Sequence, residues 1–145
     1  MHFKNIREPE QLSKMLRAKK LGVCPFCPKN YKEFHTAPII KENKNWILTQ
    51  NDYPYMGSKI HLLLIHREHI EKIRDLKNTE SKELFEIISW AENKFKIKGG
   101  SILIRFGNMG YTGATISHLH AHIIVGVKEG QNTEKLKVPV GFKKS

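Results

Sequence analysis

The sequence predicts an α+β domain built on a mainly antiparallel five-stranded sheet, with a long helix and an N-terminal helix. Five short β-prone runs alternate with two segments of helical periodicity, and most of the connections between them are short. The chain has 145 residues, which is the length of one ordinary domain. We therefore expect a single domain over residues 1–145.

The first helix is predicted over residues 8–20, within an N-terminal helical extension over 1–22. Pro9 suits the first turn of a helix, and Gly22 can end it. The apolar residues between them recur at helical spacing.

The longest helical pattern runs from Thr79 to Ile97. Its apolar residues keep helical spacing, and acidic residues stand near its start. The pair Gly99-Gly100 follows its end. This pattern predicts the long helix of the domain.

Five runs predict the strands of the sheet. In chain order they are "TAPIIKEN", "NWILTQN", "IHLLLIH", "SILIRF" and "HLHAHIIV". The polar segment "KENKN" joins the first two runs and makes a hairpin the expected arrangement. The last two runs, 101–106 and 118–125, are separated by the glycine-containing "GNMGYTGATIS".

The charge balance favours anionic ligands. The chain has 25 Lys and Arg residues against 14 Asp and Glu residues, a formal net charge of +11. Such a balance favours nucleotides, phosphates or nucleic acid as partners, although lysine-rich segments are also ordinary solvated surface. The segment 128–145 is a polar, basic tail that we expect to be loosely ordered.

Membrane partners are not expected. No run of about 18 apolar residues is present, and the N-terminal "MHFKNIREPEQ" lacks the apolar core of a signal peptide. We therefore expect an intracellular, cytoplasmic protein.

Three histidines recur at every second position in "SHLHAHIIVG". In a strand successive side chains alternate between faces, so His118, His120 and His122 are expected to share one face, opposite an apolar face. Imidazole can act as nucleophile, metal ligand or phosphate donor near neutral pH. Three exposed histidines on a solvated face are the alternative, but three in phase after a glycine-containing loop favour a site.

The cysteines Cys24 and Cys27, in "CPFC", are the only two in the chain. In a cytosolic chain such a pair favours metal binding or redox chemistry over a structural disulfide. Two thiolates at this spacing provide half of a tetrahedral zinc site, and the other half must come from elsewhere. The candidates are His35, His61, His66, His69 and His118.

The cysteine pair has two alternatives to a metal site. A thioredoxin-like redox pair should follow a strand and open a helix, whereas Pro28 and the turn-forming "PKN" disfavour regular structure here. Two free cysteines without a metal are the stronger alternative.

Several motifs resemble those of the histidine triad (HIT) superfamily of nucleotidyl hydrolases and transferases. "HLHAHII" resembles its His-x-His-x-His motif, and "GNMGYTGATISHLHAH" is similar to its phosphate-binding loop leading into the triad. "NDYPY" and "HLLLIHREH" look like two further family segments, so the likeness extends from "CPFC" to Val125. The resemblance implies a HIT-like fold and nucleotidyl hydrolase or nucleotidyltransferase activity.

The resemblance also implies roles for residues that match the family's motifs. His120 would attack the α-phosphorus and form a covalent nucleotidyl-histidine, with a backbone carbonyl holding its tautomer. His122 would donate to the nonbridging phosphate oxygens. The remaining positions carried over are catalytic Thr115 and the substrate-binding Asn51, Asn108 and Gly113.

In the zinc-binding branch of the superfamily, the second pair of ligands matches His69 and His118. The resemblance thus implies a structural zinc bound by Cys24, Cys27, His69 and His118. His35 is the alternative to His69. By contrast, His61 and His66 are expected to have no chemical role.

The implied substrate is a dinucleoside polyphosphate or a nucleoside phosphoramidate, with water or inorganic phosphate as acceptor. The triplet Gly113-Ala114-Thr115 resembles the Gly-Ala-Ser of uridylyltransferases and diadenosine tetraphosphate phosphorylases, whereas a third triad histidine is typical of the hydrolase-rich branch. The alternative function is a non-catalytic, zinc-stabilised module that binds nucleotide or RNA. The resemblance further implies a homodimer formed through the long helix and an edge strand.

Overall fold

The computed structural model describes residues 8–145 and contains five strands. They are β1 (Ile39–Glu42), β2 (Trp46–Gln50), β3 (Ile60–His66), β4 (Ser101–Arg105) and β5 (His120–Val125). They form one antiparallel sheet in the order β1-β2-β3-β5-β4. The predicted α+β class, the five-stranded antiparallel sheet and the first hairpin are thereby confirmed.

Four helices accompany the sheet. They are α1 (Pro9–Leu21), α2 (Pro28–Phe34), α3 (Asn78–Lys94) and α4 (Met109–Thr112). The predicted N-terminal and long helices correspond to α1 and α3, while residues 1–7 of the predicted extension lie outside the described residues. Within residues 8–145, no helix combines the length and the apolar character needed to cross a membrane.

The structure contains two helices, α2 and α4, where the sequence predicted irregular segments. The segment after "CPFC" was expected to be irregular, but α2 begins at Pro28. A proline suits the first helical position, because its missing N–H has no intrahelical acceptor there and its φ is already helical. The short helix α4, within the predicted loop 107–117, was not expected either.

The last strand begins at His120 rather than at His118. The backbone N–H of Leu119 donates to the carbonyl of Ile70 over 2.7 Å, so the chain at this point is bonded to the β3–α3 connection. Strand alternation therefore applies to His120 and His122 but not to His118.

The two faces of the sheet are covered by different parts of the chain. One face, here called the helix face, packs on α3 through a buried apolar cluster. That cluster comprises Trp46, Leu48, Leu62, Leu64, Leu84, Ile87, Ala91, Leu119, Ala121, Ile123 and Val125. Burial of this apolar surface is the main favourable term in folding.

The opposite face, here called the pocket face, packs on the N-terminal segment Pro9–Phe34. Met15, Phe26 and Tyr31 of that segment contact Leu63 and Ile65 of β3 in a second buried cluster. The odd-numbered residues of β5 belong to the cluster on the helix face, so its even-numbered residues lie on the pocket face, between β3 and β4.

The C-terminal tail (residues 128–145) contains no helix or strand but contacts the sheet and α4. The carbonyl of Pro139 accepts a hydrogen bond of 2.7 Å from Nη2 of Arg105. Gly141 has φ +116°, and a Cβ added to it would lie 2.8 Å from the carbonyl oxygen of Tyr111. The backbone of the tail therefore comes close to that of α4 at this position, and the loose order of the tail stays a prediction.

Replacing Leu64, which is fully buried between the sheet and α3, tests the importance of this core. Leu64→Ala is expected to reduce the free energy of unfolding by about 2–5 kcal/mol, because it removes apolar contacts and leaves a cavity. Leu21→Ala, at an exposed position at the end of α1, should change it by no more than about 0.5 kcal/mol. Urea denaturation measures both values, and equal losses would contradict this description of the core.

Candidate active site and metal cluster

A pocket opens between the pocket face of the sheet and the N-terminal segment. It is lined by Gln11, Met15, Pro25, Phe26, Phe34, His35, Asn51, Asp52, Tyr53, Tyr55, Leu63, Arg105, Gly113, Ala114, Thr115, Ile116, His120 and His122. Five of the six residues that the resemblance assigned to catalysis or substrate binding thus border one space: Asn51, Gly113, Thr115, His120 and His122.

The ring of His120 is held in one tautomer. Its Nδ1 lies 2.8 Å from the backbone carbonyl of His118, and a carbonyl can only accept, so Nδ1 carries the hydrogen. Nε2 then has a lone pair. Burial lowers the pKa of His120 to about 4, although the bond to the His118 carbonyl raises it, and the charge of Arg105 lowers it further. His120 is therefore neutral at physiological pH, with an unprotonated nitrogen.

The ring of His122 is oriented by His61. The backbone N–H of Tyr55 donates to Nδ1 of His61 over 3.0 Å, so the hydrogen of the neutral His61 ring is on Nε2. This Nε2 lies 2.8 Å from Nδ1 of His122 and donates to it. The hydrogen of neutral His122 is consequently on its own Nε2.

His61 was expected to have no chemical role, and the structure gives it a positioning role, because its ring determines where His122 carries its hydrogen. In β3, His61, Leu63 and Ile65 share the pocket face because side chains alternate along a strand. Leu63 pairs with His122 and Ile65 pairs with His120 of β5. The alternation is visible in "IHLLLIH", but the pairing of β3 with β5 is not.

Asn51 and Asn108 both use their side chains in local turns. Oδ1 of Asn51 accepts from the backbone N–H of Tyr53 over 2.8 Å, at the edge of the pocket. Asn108 is exposed, its Oδ1 accepts from the backbone N–H of Gly110 over 2.7 Å, and it does not line the pocket. The structure brings Asn51 to the histidines but leaves Asn108 outside.

Arg105 is a pocket residue that the sequence analysis did not select. It lies opposite His120 in the pairing of β4 with β5 and lines the same pocket. The only sequence signal is a positive charge at the end of the apolar run "SILIRF".

Cys24, Cys27, His69 and His118 form a cluster that could hold a metal ion. One ligand atom from each of the four residues lies within 4.8 Å of the other three. Nδ1 of His118 is 3.6 Å from Sγ of Cys24 and 3.7 Å from Sγ of Cys27, and Nδ1 of His69 is 3.5 Å from Sγ of Cys27. This is the set of four residues that the family resemblance implied.

The other imidazole nitrogen of His118 is also bonded. Its Nε2 lies 2.5 Å from the backbone carbonyl of His66, which can only accept. Nδ1 of His118 is therefore left with the lone pair that faces the two thiols. His66 was expected to have no chemical role, yet its carbonyl orients this ligand.

His35, the alternative ligand, lies away from the cluster. Its Nε2 is 3.0 Å from Oγ1 of Thr49, and its Nδ1 is 3.6 Å from Oδ2 of Asp52. Burial lowers the pKa of His35. The geometry therefore favours His69.

Cys24 does not have the surroundings of a redox-active thiol. Burial raises its pKa to about 11, whereas a reactive cysteine needs a lowered pKa. "CPFC" does precede a helix, contrary to the expectation, but it follows α1 and not a strand.

Phe26 connects the cluster to the pocket. It lies between the two cysteines in sequence, and its ring packs edge-on at 5.0 Å from the ring of His120 and 6.2 Å from that of His118. The cluster and the pocket thus share a wall.

Comparisons with known proteins identify similar sequences and similar folds. The family model of the HIT domain matches residues 33–129. An uncharacterized HIT-like protein from Chlamydia muridarum is 33% identical over 89 residues, which cover 59% of this chain and 68% of that protein.

Two solved structures share the fold. A HIT family hydrolase from Clostridium thermocellum is 27% identical, with a TM-score of 0.56, and the match covers 75% of this chain and 95% of the other. A protein from Mycobacterium smegmatis, described as a Zn-bound histidine triad family protein, is 21% identical with a TM-score of 0.55. That match covers 80% of this chain and 83% of the other, and it shows the fold alone.

The ionisation of His120 is expected to occur far below that of an ordinary histidine. In an NMR titration its ring signals, assigned with a His120→Asn variant, should move with a midpoint of about pH 4, because burial disfavours the charged ring. The pKa of His120 in the folded state lies below its value of about 6.5 in the unfolded state. The neutral ring therefore contributes fully to stability above about pH 6.5, and this contribution is lost as the pH falls toward 4. A midpoint near 6.5 would contradict the buried, neutral ring.

Proposed function

Because this chain belongs to the HIT domain family, we propose that it transfers or hydrolyses a nucleoside monophosphate group through a covalent nucleotidyl-histidine intermediate at His120. The observation that supports this proposal is the difference between two neighbouring imidazole rings of the pocket in the nitrogen that carries the hydrogen. His120 has a lone pair on Nε2, while neighbouring His122 has a hydrogen on Nε2. A nucleophile and a donor thus stand side by side.

His120 is the proposed nucleophile. Its Nε2 attacks the α-phosphorus and forms a P–N bond as the bond to the leaving group breaks. Water or inorganic phosphate then cleaves the P–N bond and releases the nucleotide. The carbonyl of His118 stabilises the positive charge that develops on the ring, because Nδ1 donates to it over 2.8 Å.

His122 and the loop before the triad are proposed to bind the reacting phosphate. Nε2–H of His122 donates to a nonbridging oxygen, where negative charge must be stabilised in the transition state. Gly113 and Thr115 line the same pocket from the loop side. Asn51 borders the ribose from the β2–β3 loop, whereas the exposed Asn108 is not part of the proposed site.

Structural zinc is proposed for the cysteine–histidine cluster. Zinc–sulfur and zinc–nitrogen distances of about 2.3 and 2.0–2.1 Å place neighbouring S and N ligands of a tetrahedral site about 3.6 Å apart. The corresponding distances here are 3.5, 3.6 and 3.7 Å. Four protein ligands make a closed site, which is typical of structural zinc.

The location and the oligomeric state of the protein are further proposals. We infer a cytoplasmic homodimer that binds a nucleotide substrate. The edge strand β4 exposes 45% of Ile102, and α3 exposes 58% of Phe85, which is the apolar surface that a second copy would cover.

Two histidine variants should differ in the step that they affect. His120→Asn is expected to reduce turnover by about a thousandfold or more and to abolish a labelled enzyme intermediate, because no nucleophile remains. His122→Asn should slow turnover by roughly a hundredfold but still form labelled enzyme. Rapid quenching with an α-labelled dinucleoside polyphosphate measures both quantities. Full turnover by His120→Asn would exclude the covalent mechanism.

The same assay separates the alternative functions. Products formed with and without inorganic phosphate distinguish a phosphorylase from a hydrolase. A wild-type chain that forms no labelled intermediate and binds RNA with a steep salt dependence would instead be a binding module.

The purified protein is expected to contain about one zinc per chain by elemental analysis, with four protein ligands as in closed structural sites. Cys24→Ser and His69→Ala should lose most of this zinc and lower the melting temperature. His35→Gln is the matched control, since His35 is also buried near the pocket but lies outside the cluster. Zinc loss in His35→Gln with retention in His69→Ala would reverse the ligand assignment.

A further inference from the structure

Arg105 is a cation on the wall of the pocket that carries His120 and His122. All three of its hydrogen bonds go to uncharged acceptors. Nε donates to the carbonyl of Thr112 over 3.0 Å, Nη1 to the hydroxyl of Tyr55 over 3.0 Å and Nη2 to the carbonyl of Pro139 over 2.7 Å. Among residues 8–145, no carboxylate forms an ion pair with it. Its full charge therefore borders the pocket.

The guanidinium of Arg105 is also pre-organised. It has five N–H groups and remains protonated at all physiological pH values. The three bonds above use one N–H on each nitrogen, and they hold the group from three separate segments: the end of α4, the β2–β3 loop and the C-terminal tail. Two N–H groups are left to donate to an anion, with little side-chain entropy lost on binding.

The position of Arg105 brings its guanidinium close to the proposed nucleophile. It pairs with His120 across β4 and β5, and its Nε is bonded next to Gly113 in the loop. An anion bound at Arg105 therefore lies beside the nucleophile, on the loop side of the pocket.

Two side chains of opposite charge line the pocket, and their partners differ. Oδ2 of Asp52 lies 3.5 Å from Nζ of Lys14 in α1 and 3.6 Å from Nδ1 of His35, so this carboxylate is paired. Arg105 is instead joined to the C-terminal tail, which carries five lysines and two glutamates. The positive charge that is not paired with a carboxylate within residues 8–145 is therefore concentrated at Arg105 and the tail bonded to it.

We propose that Arg105 and the Pro139 segment form an anion subsite for the leaving group, so that the preferred substrates are dinucleoside polyphosphates rather than nucleoside phosphoramidates. This inference rests on the proposed function. When Nε2 of His120 attacks the α-phosphorus, the P–O bond to the leaving phosphate breaks, and that oxygen takes the electron pair. Arg105 stabilises this negative charge without transferring a proton. An amine leaving group instead requires a proton, which a guanidinium does not supply.

The test compares two substrates that share one nucleoside monophosphate: a dinucleoside tetraphosphate and a nucleoside phosphoramidate. Arg105→Gln is expected to reduce kcat/KM for the tetraphosphate by about tenfold or more and for the phosphoramidate by less than about twofold. Arg105→Lys, which keeps a point charge, should lose less on the tetraphosphate. The matched control is Arg67→Gln, because Arg67 also donates to a backbone carbonyl, that of Asn43, but lies outside the pocket.

A binding measurement separates this inference from the proposed function. Calorimetry with inorganic triphosphate should show binding to the wild type and to Arg67→Gln, and an affinity about tenfold lower in Arg105→Gln. If the wild type turns over neither substrate but binds triphosphate through Arg105, the proposed function fails and the anion subsite stands. Equal losses on both substrates, a wild-type preference for the phosphoramidate, or unchanged triphosphate affinity in Arg105→Gln would overturn the inference.

Discussion

Two backbone carbonyls set the chemistry of neighbouring histidines. The carbonyl of His66 accepts from Nε2 of His118, which leaves Nδ1 of that ring facing the thiols. The carbonyl of His118 accepts from Nδ1 of His120, which leaves Nε2 with a lone pair. Because a carbonyl cannot donate, identical side chains two positions apart present opposite ring nitrogens. The proposed metal site and the proposed nucleophile both depend on this constraint.

The segments outside the HIT domain match enclose the pocket face of the sheet. The N-terminal segment packs its own apolar cluster on β3 and places Phe26 against the ring of His120. On the opposite side, the C-terminal tail is bonded to Arg105 through Pro139. The match to the HIT domain model covers residues 33–129, so the sheet and the triad lie inside it, and most of the N-terminal segment and of the tail lies outside it.

Local patterns were sufficient for most of the fold. Helical periodicity gave the correct type for α1 and α3, and β-prone runs gave the correct type for all five strands. They failed at Pro28, where a proline begins a helix, and at His118, which precedes the strand because the N–H of the next residue, Leu119, donates to Ile70 in the β3–α3 connection. Both failures concern contacts or positions that periodicity does not encode.

By itself, the sequence determined the strand that bears His120 and His122, the cysteine pair and the likeness to the HIT superfamily, because these depend on residue type and spacing. Only the tertiary structure decided which ring nitrogen of His118, His120 and His122 carries the hydrogen and that His61 orients His122. It also brought Arg105 beside the triad and joined it to the tail. The physical reason is that hydrogen positions and electrostatic neighbours depend on acceptors distant in sequence, which only the pairing of strands and the docking of loops bring together.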